Sequence, residues 1–175
     1  VDLDNLSRDK WVEVVPESSA VLEDFMLIGG HILGVYLVNV HSSVRVFTGD
    51  GKRLPDLAIP SIGTVAAVEG TWSSAEAFLQ FTSFNIPTTV YRFNILKPDL
   101  VMFHRLDVPF KGEDLEVKQV WVESKDRTKV PMFLVHRKNI QLDGSNPVIL
   151  TGYGGFNLNM LPVFSARAAY WVEHG

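Results

Sequence analysis

"GTVAAVEGTWSSAEAFLQFTSFNIPTTVYRFNILKPDLVMFHRL", residues 63 to 106, decides the fold. It divides into four β-type runs, "GTVAAVEG", "EAFLQFTSF", "TTVYRFNI" and "DLVMFHRL", each closed by a turn signal. An earlier set keeps the same order: "VLEDFMLIGG", "HILGVYLVNV", "SSVRVFTGDG" and "RLPDLAIP". Pro55 and Pro60 suit the last of these to an edge strand, because proline has no N–H to give to a central ladder. The two sets begin about 40 residues apart, and four strands per repeat of that length is the period of a β-propeller blade. The pattern therefore predicts two adjacent four-stranded antiparallel blades over residues 20–106, with strands in sequential order. An eight-stranded β-sandwich is the alternative. "KWVEVVP", residues 10–16, suits the outer strand of a preceding blade.

The character changes near "DVPFKGEDLE". "LEVKQVWVESKDRTKVPMFLVHRK" reads as an antiparallel hairpin turning at Ser124-Lys125-Asp126. A polar loop, "NIQLDGSN", leads to an expected strand over 147–152 and then to "GYGGFN". "LPVFSARAAYWVEHG" is helix-compatible, with Phe164, Ala168, Trp171 and Val172 expected near one face. Hairpin, strand, glycine turn and helix is how a sheet with one antiparallel edge and parallel strands begins.

Composition narrows the function. The chain has 175 residues, 46 % hydrophobic, with a formal net charge of −4 and no run of like charges. Nucleic acid is not an expected partner, since a basic face is missing. Membrane insertion is not expected either, as no run reaches the roughly 18 apolar residues of a span. There is no cysteine, which removes disulfides and thiolate metal sites and leans the compartment to the cytoplasm, with the periplasm possible. No initiator methionine is present and the chain halts just after an apolar run, so it is expected to be a piece of a longer protein.

The polar residues offer little familiar chemistry. His31, His41, His104, His136 and His174 show no metal-binding spacing, so no metal is expected and each reads as structural. Ser165 lies in "VFSAR", which is not a nucleophile elbow, and it reads as a helix cap. "GYGGF" fits neither a phosphate loop nor a dinucleotide fingerprint, and no cofactor is expected. What remains is the loop itself. Gly152, Gly154 and Gly155 let a backbone turn sharply or a ligand approach closely. A loop at a strand's carboxyl end can supply an oxyanion hole, for which the Tyr153 hydroxyl is a donor, with Phe156 as an apolar wall. A tight turn packed by two rings explains the same residues equally well.

"SKDRTKVPMFLVHRKNIQLDGSNPVILTGYGGFN" resembles the start of the catalytic domain of the prolyl oligopeptidase family of serine peptidases. "QFTSF" and the two four-strand sets resemble the end of that family's propeller. The resemblance implies a mostly β chain: residues 1–107 as the last two blades of a seven-bladed propeller, and 108–175 as the first strands and helix of an α/β-hydrolase domain. It implies hydrolysis of short peptides on the carboxyl side of proline by a Ser-Asp-His triad lying outside this chain, with the propeller gating access. Tyr153 then takes the oxyanion role and Phe156 lines the substrate pocket. The expected partners are short proline-containing peptides and the rest of the parent polypeptide, monomeric when intact. Two alternatives remain, a related oligopeptidase of other specificity and a non-catalytic propeller binding fragment.

Overall fold

The computed structural model describes residues 4–174. The first sheet runs β1 (Val21–Ile28), β2 (His31–Val38) and β3 (His41–Thr48), antiparallel and in sequential order. β1 and β2 are joined by Gly29-Gly30, both at positive φ, the left-handed geometry whose twist matches the flanking strands. β2 and β3 are joined by Asn39-Val40, also both left-handed, at φ 49° and 67°. The second sheet runs β4 (Thr64–Gly70), β5 (Glu76–Ser83), β6 (Ile86–Asn94) and β7 (Lys97–Arg105), again antiparallel and sequential. All four of its expected strands form.

The expected fourth strand of the first sheet does not. "RLPDLAIP" touches β3 only through the bridges Phe47–Arg53 and Val44–Leu57, held by Leu54 N–H to Val46 O (2.9 Å) and Leu57 N–H to Val44 O (3.0 Å). Pro55 lies between these contacts without an N–H, so the ladder cannot run on. Leu57 still reaches the core and is buried. Residues 10–16 also form no strand, and Trp11 and Val12 are exposed there.

The sheets share one core. Leu33, Val35, Val44 and Val46 from the first meet Val65, Leu79, Phe81 and Phe93 from the second. Polar stitches cross between them: Ser42 N–H donates to Gly63 O (2.9 Å), and Ser42 Oγ accepts from Val65 N–H (2.9 Å). Ser42 is buried, so these bonds satisfy groups that would otherwise be stranded without water. The outer surfaces are left uncovered. On the β1 side Leu22, Phe25 and Leu27 border an apolar hollow of about 230 Å³, and on β7 Val101, Met102 and Phe103 are exposed.

β8 (Leu115–Glu123) and β9 (Lys129–Arg137) make the expected hairpin. Its turn closes through Arg127 N–H to Ser124 O (2.9 Å) and Thr128 N–H to Asp126 Oδ1 (3.1 Å). Hydrogen bonds from Ser124 Oγ and the Thr128 amide hold the Asp126 carboxyl below its ordinary range. The hairpin sits against both sheets. Phe133 packs on Phe84 with ring centroids 5.4 Å apart, and Gln119 Nε2 donates to Asn39 O at 2.5 Å.

Beyond the hairpin the structure departs from expectation. Residues 147–152 form no strand, because no other strand lies alongside them among the described residues and an extended segment needs a partner for its N–H and C=O groups. A helix does form, α1 (Ala166–His174), but its buried side is Ala169 with the half-buried Val172. Ala168 and Trp171, expected on that face, are exposed. Pro162 and Phe164 fix the helix's approach to the second sheet, so the segment before it decides which side turns inward.

Candidate active site

The "GYGGFN" loop lies in an irregular stretch between β9 and α1. Its beginning is shaped by short polar turns. Ser145 N–H donates to Asp143 Oδ1 (3.0 Å), Ser145 Oγ donates to the same oxygen (2.6 Å), and Asn146 Nδ2 donates to Gln141 O (2.5 Å). The Ser145 bonds, hydroxyl first, hold the Asp143 carboxyl below the usual carboxylate range. The loop's far end is fixed on the second sheet. Thr64 Oγ1 donates to Pro162 O (3.1 Å), Phe164 N–H donates to Thr82 Oγ1 (3.1 Å), and the Phe164 ring packs on Phe110 with centroids 5.2 Å apart. Thr64, Thr82 and Pro162 are all buried. Ser165 then caps α1, its Oγ accepting from Ala168 N–H at 3.4 Å.

Between these fixed ends the loop projects. Val148, Ile149 and Leu150 are exposed, and Tyr153 is 51 % exposed. The phenol of Tyr153 lies over Gly155: a Cβ at Gly155 would stand 3.0 Å from the Tyr153 hydroxyl oxygen and 3.1 Å from Cζ. Any larger residue at 155 would push the ring away. A Cβ at Gly152 or Gly154 would meet nothing within 4 Å, so those two leave open space beside the tyrosine.

Phe156 and Asn157 follow, both at φ 54°, and Leu158 N–H donates to Gly155 O at 3.2 Å. Residues 155–158 are therefore a β-turn with left-handed geometry at both central positions, the combination of the type I′ turn. Phe156 stands at its tip, 91 % exposed. The sequence-predicted site residues are thus gathered on one projecting loop, with the Tyr153 phenol laid over Gly155 and the Phe156 ring exposed at the turn's tip. A tight turn was one of the two readings of this stretch, but its left-handed geometry at Phe156 and Asn157 was not foreseen. Its signal was Asn157, since asparagine adopts the left-handed region more readily than most residues.

Two of the histidines take local roles. His31 Nδ1–H donates to Gly29 O (2.8 Å), and His174 pairs with Tyr170 O (3.0 Å) and stacks on the Tyr170 ring. Among the described residues no three metal-ligating side chains come together.

Comparison with known proteins gives this geometry its context. Residues 1–105 match the family described as prolyl oligopeptidase, N-terminal beta-propeller domain. A prolyl endopeptidase of Elizabethkingia meningoseptica is 30 % identical over 173 residues, which are 99 % of this chain and 24 % of that protein. Prolyl oligopeptidase A of Galerina marginata is 36 % identical over 167 residues, covering 92 % of this chain and 22 % of that one. A chain solved in structural and mechanistic work on two prolyl endopeptidases matches with a TM-score of 0.85 and 38 % identity, over 99 % of this chain and 26 % of its own. Apo prolyl oligopeptidase B of Galerina marginata matches with a TM-score of 0.83 at 29 % identity, over 92 % of this chain and 24 % of its own. The chain spans about a quarter of the length of these relatives. With the sheets arranged as they are and the family match covering both, the chain belongs to the prolyl oligopeptidase family, as part of its N-terminal β-propeller region.

Proposed function

We propose that the protein carrying this chain is a serine endopeptidase that cleaves short peptides on the carboxyl side of proline. In this reading residues 1–107 are the last two blades of a seven-bladed propeller that limits access. Residues 108–175 begin an α/β-hydrolase domain whose Ser, Asp and His lie elsewhere in the polypeptide. One observation carries it. The likeness to prolyl endopeptidases does not stop at residue 105 but runs through the hairpin and the projecting loop, over 173 residues in one relative.

The loop's chemistry fits the assignment. When a serine attacks a peptide carbonyl, the oxygen gains charge, and a donor aimed at that oxygen lowers the barrier more than it strengthens substrate binding. Tyr153 supplies such a donor from a phenol steadied against Gly155, with the space beside Gly152 and Gly154 open to an extended peptide. Phe156 offers an apolar ring for the proline side of the substrate.

The test is Tyr153→Phe in the full-length polypeptide, assayed on a blocked dipeptide anilide with proline before the scissile bond. Loss of one oxyanion donor is expected to lower kcat by about 10²–10³ with little change in KM. A kcat within about threefold of wild type would remove the oxyanion role. The tyrosine would then be turn packing.

A further inference from the structure

We infer that Asn157 is the residue that positions Phe156, and so sets specificity without touching substrate itself. The inference rests on the reading of Phe156 as a pocket wall. Phe156 is at φ 54°, a conformation that aromatic residues seldom adopt. Nothing buries its ring to compensate, as the side chain is 91 % exposed. Its orientation must therefore come from the backbone of the turn.

That turn has one hydrogen bond across it, Leu158 N–H to Gly155 O at 3.2 Å, and its two central residues, 156 and 157, are both left-handed. Gly155 is occupied by the Tyr153 ring on its open side and Phe156 is itself a reluctant left-handed residue, so neither stabilises the conformation. Asn157 is the only central residue of the turn whose side chain tolerates φ near 54°. Its conformational preference holds the phenyl ring outward, and with it the distance between that ring and the Tyr153 hydroxyl.

Three variants of the full-length enzyme test this, assayed on the same proline anilide. Asn157→Val places a β-branched residue where left-handed backbone is unfavourable, and should raise KM on the order of tenfold while kcat stays within about threefold. Asn157→Gly and Asn157→Asp keep left-handed tolerance and should leave KM near wild type. Thermal midpoints should hardly differ among the three, as the loop is exposed. Phe156→Ala separates the two layers of the argument. If it raises KM and Asn157→Val does not, the positioning role is overturned while the pocket wall stands. If Phe156→Ala leaves KM unchanged, the pocket reading fails and this inference with it. Equal KM increases in the Val and Gly variants would also overturn it, since they would point to a contact of the asparagine side chain.

Discussion

Val40 is a valine where the fold asks for a glycine or asparagine. It is the second residue of the two-residue turn between β2 and β3, at φ 67°, where a β-branched side chain crowds its own backbone. The preceding carbonyl, Asn39 O, is the one that receives Gln119 from the hairpin. The strain thus sits at a contact that seats one part of the chain on another, as backbone strain often does. Val38 is also half-buried but lies in regular β2, so it serves as the control. Val40→Gly relieves about 1–2 kcal/mol of left-handed crowding, whereas Val38→Gly weakens a strand by roughly 0.5–1 kcal/mol, and both lose a half-buried side chain. Urea unfolding of the full-length protein should therefore place the Val40 variant about 2 kcal/mol above the Val38 variant. Equal losses would mean that Val40 is not strained. Nothing about Val40 warned of this, since it fell inside the expected strand "HILGVYLVNV".

Among the elements, the alternating strands were legible, several of them closed by glycine, because alternation and turn chemistry are local. β4 to β7 form within a few residues of their expected ends. Pro55 spoke for an edge, yet one missing N–H was enough to reduce that edge to two bridges. The 147–152 run failed for a different reason. Its apolar residues are right for a strand, but strands are made by neighbours, and sequence shows composition without showing who lies alongside. The inward side of α1 was likewise settled by anchors outside the helix. Those anchors are two threonine hydroxyls, and Thr82 illustrates their weight. Its oxygen accepts from Phe164 N–H and its hydroxyl donates to Ile86 O at 3.2 Å. Thr82→Val keeps the shape but takes the acceptor from the half-buried Phe164 amide, which typically costs about 0.5–1.5 kcal/mol. Hydrogen exchange should show the Phe164 amide losing protection while β5 and β6 amides keep theirs. Uniform loss across the sheet would instead mean that the threonine supports the sheet and not the anchor.

At the scale of the whole molecule, two uncovered apolar surfaces flank a shared core: the hollow beside β1 and the outer side of β7. Exposed patches of this kind mark surfaces built to be covered. Produced by itself, this piece should associate with rising concentration in sedimentation velocity, and Phe25→Lys with Phe103→Lys should reduce that association. A monodisperse monomer at high concentration would count against it. The candidate site was legible as a loop, from its glycines and two rings, but its turn geometry was not, because φ at Phe156 depends on what the neighbours allow. The bonds that seat this loop have a consequence for time. Within each sheet, pairing joins strands adjacent in sequence, so little chain entropy opposes it. The seating bonds join residues 82 and 98 positions apart. Distant closures are slow and come after local ones have formed. The arrival of the tail on the second sheet, and not the formation of the sheets, is therefore expected to be the slower step in folding.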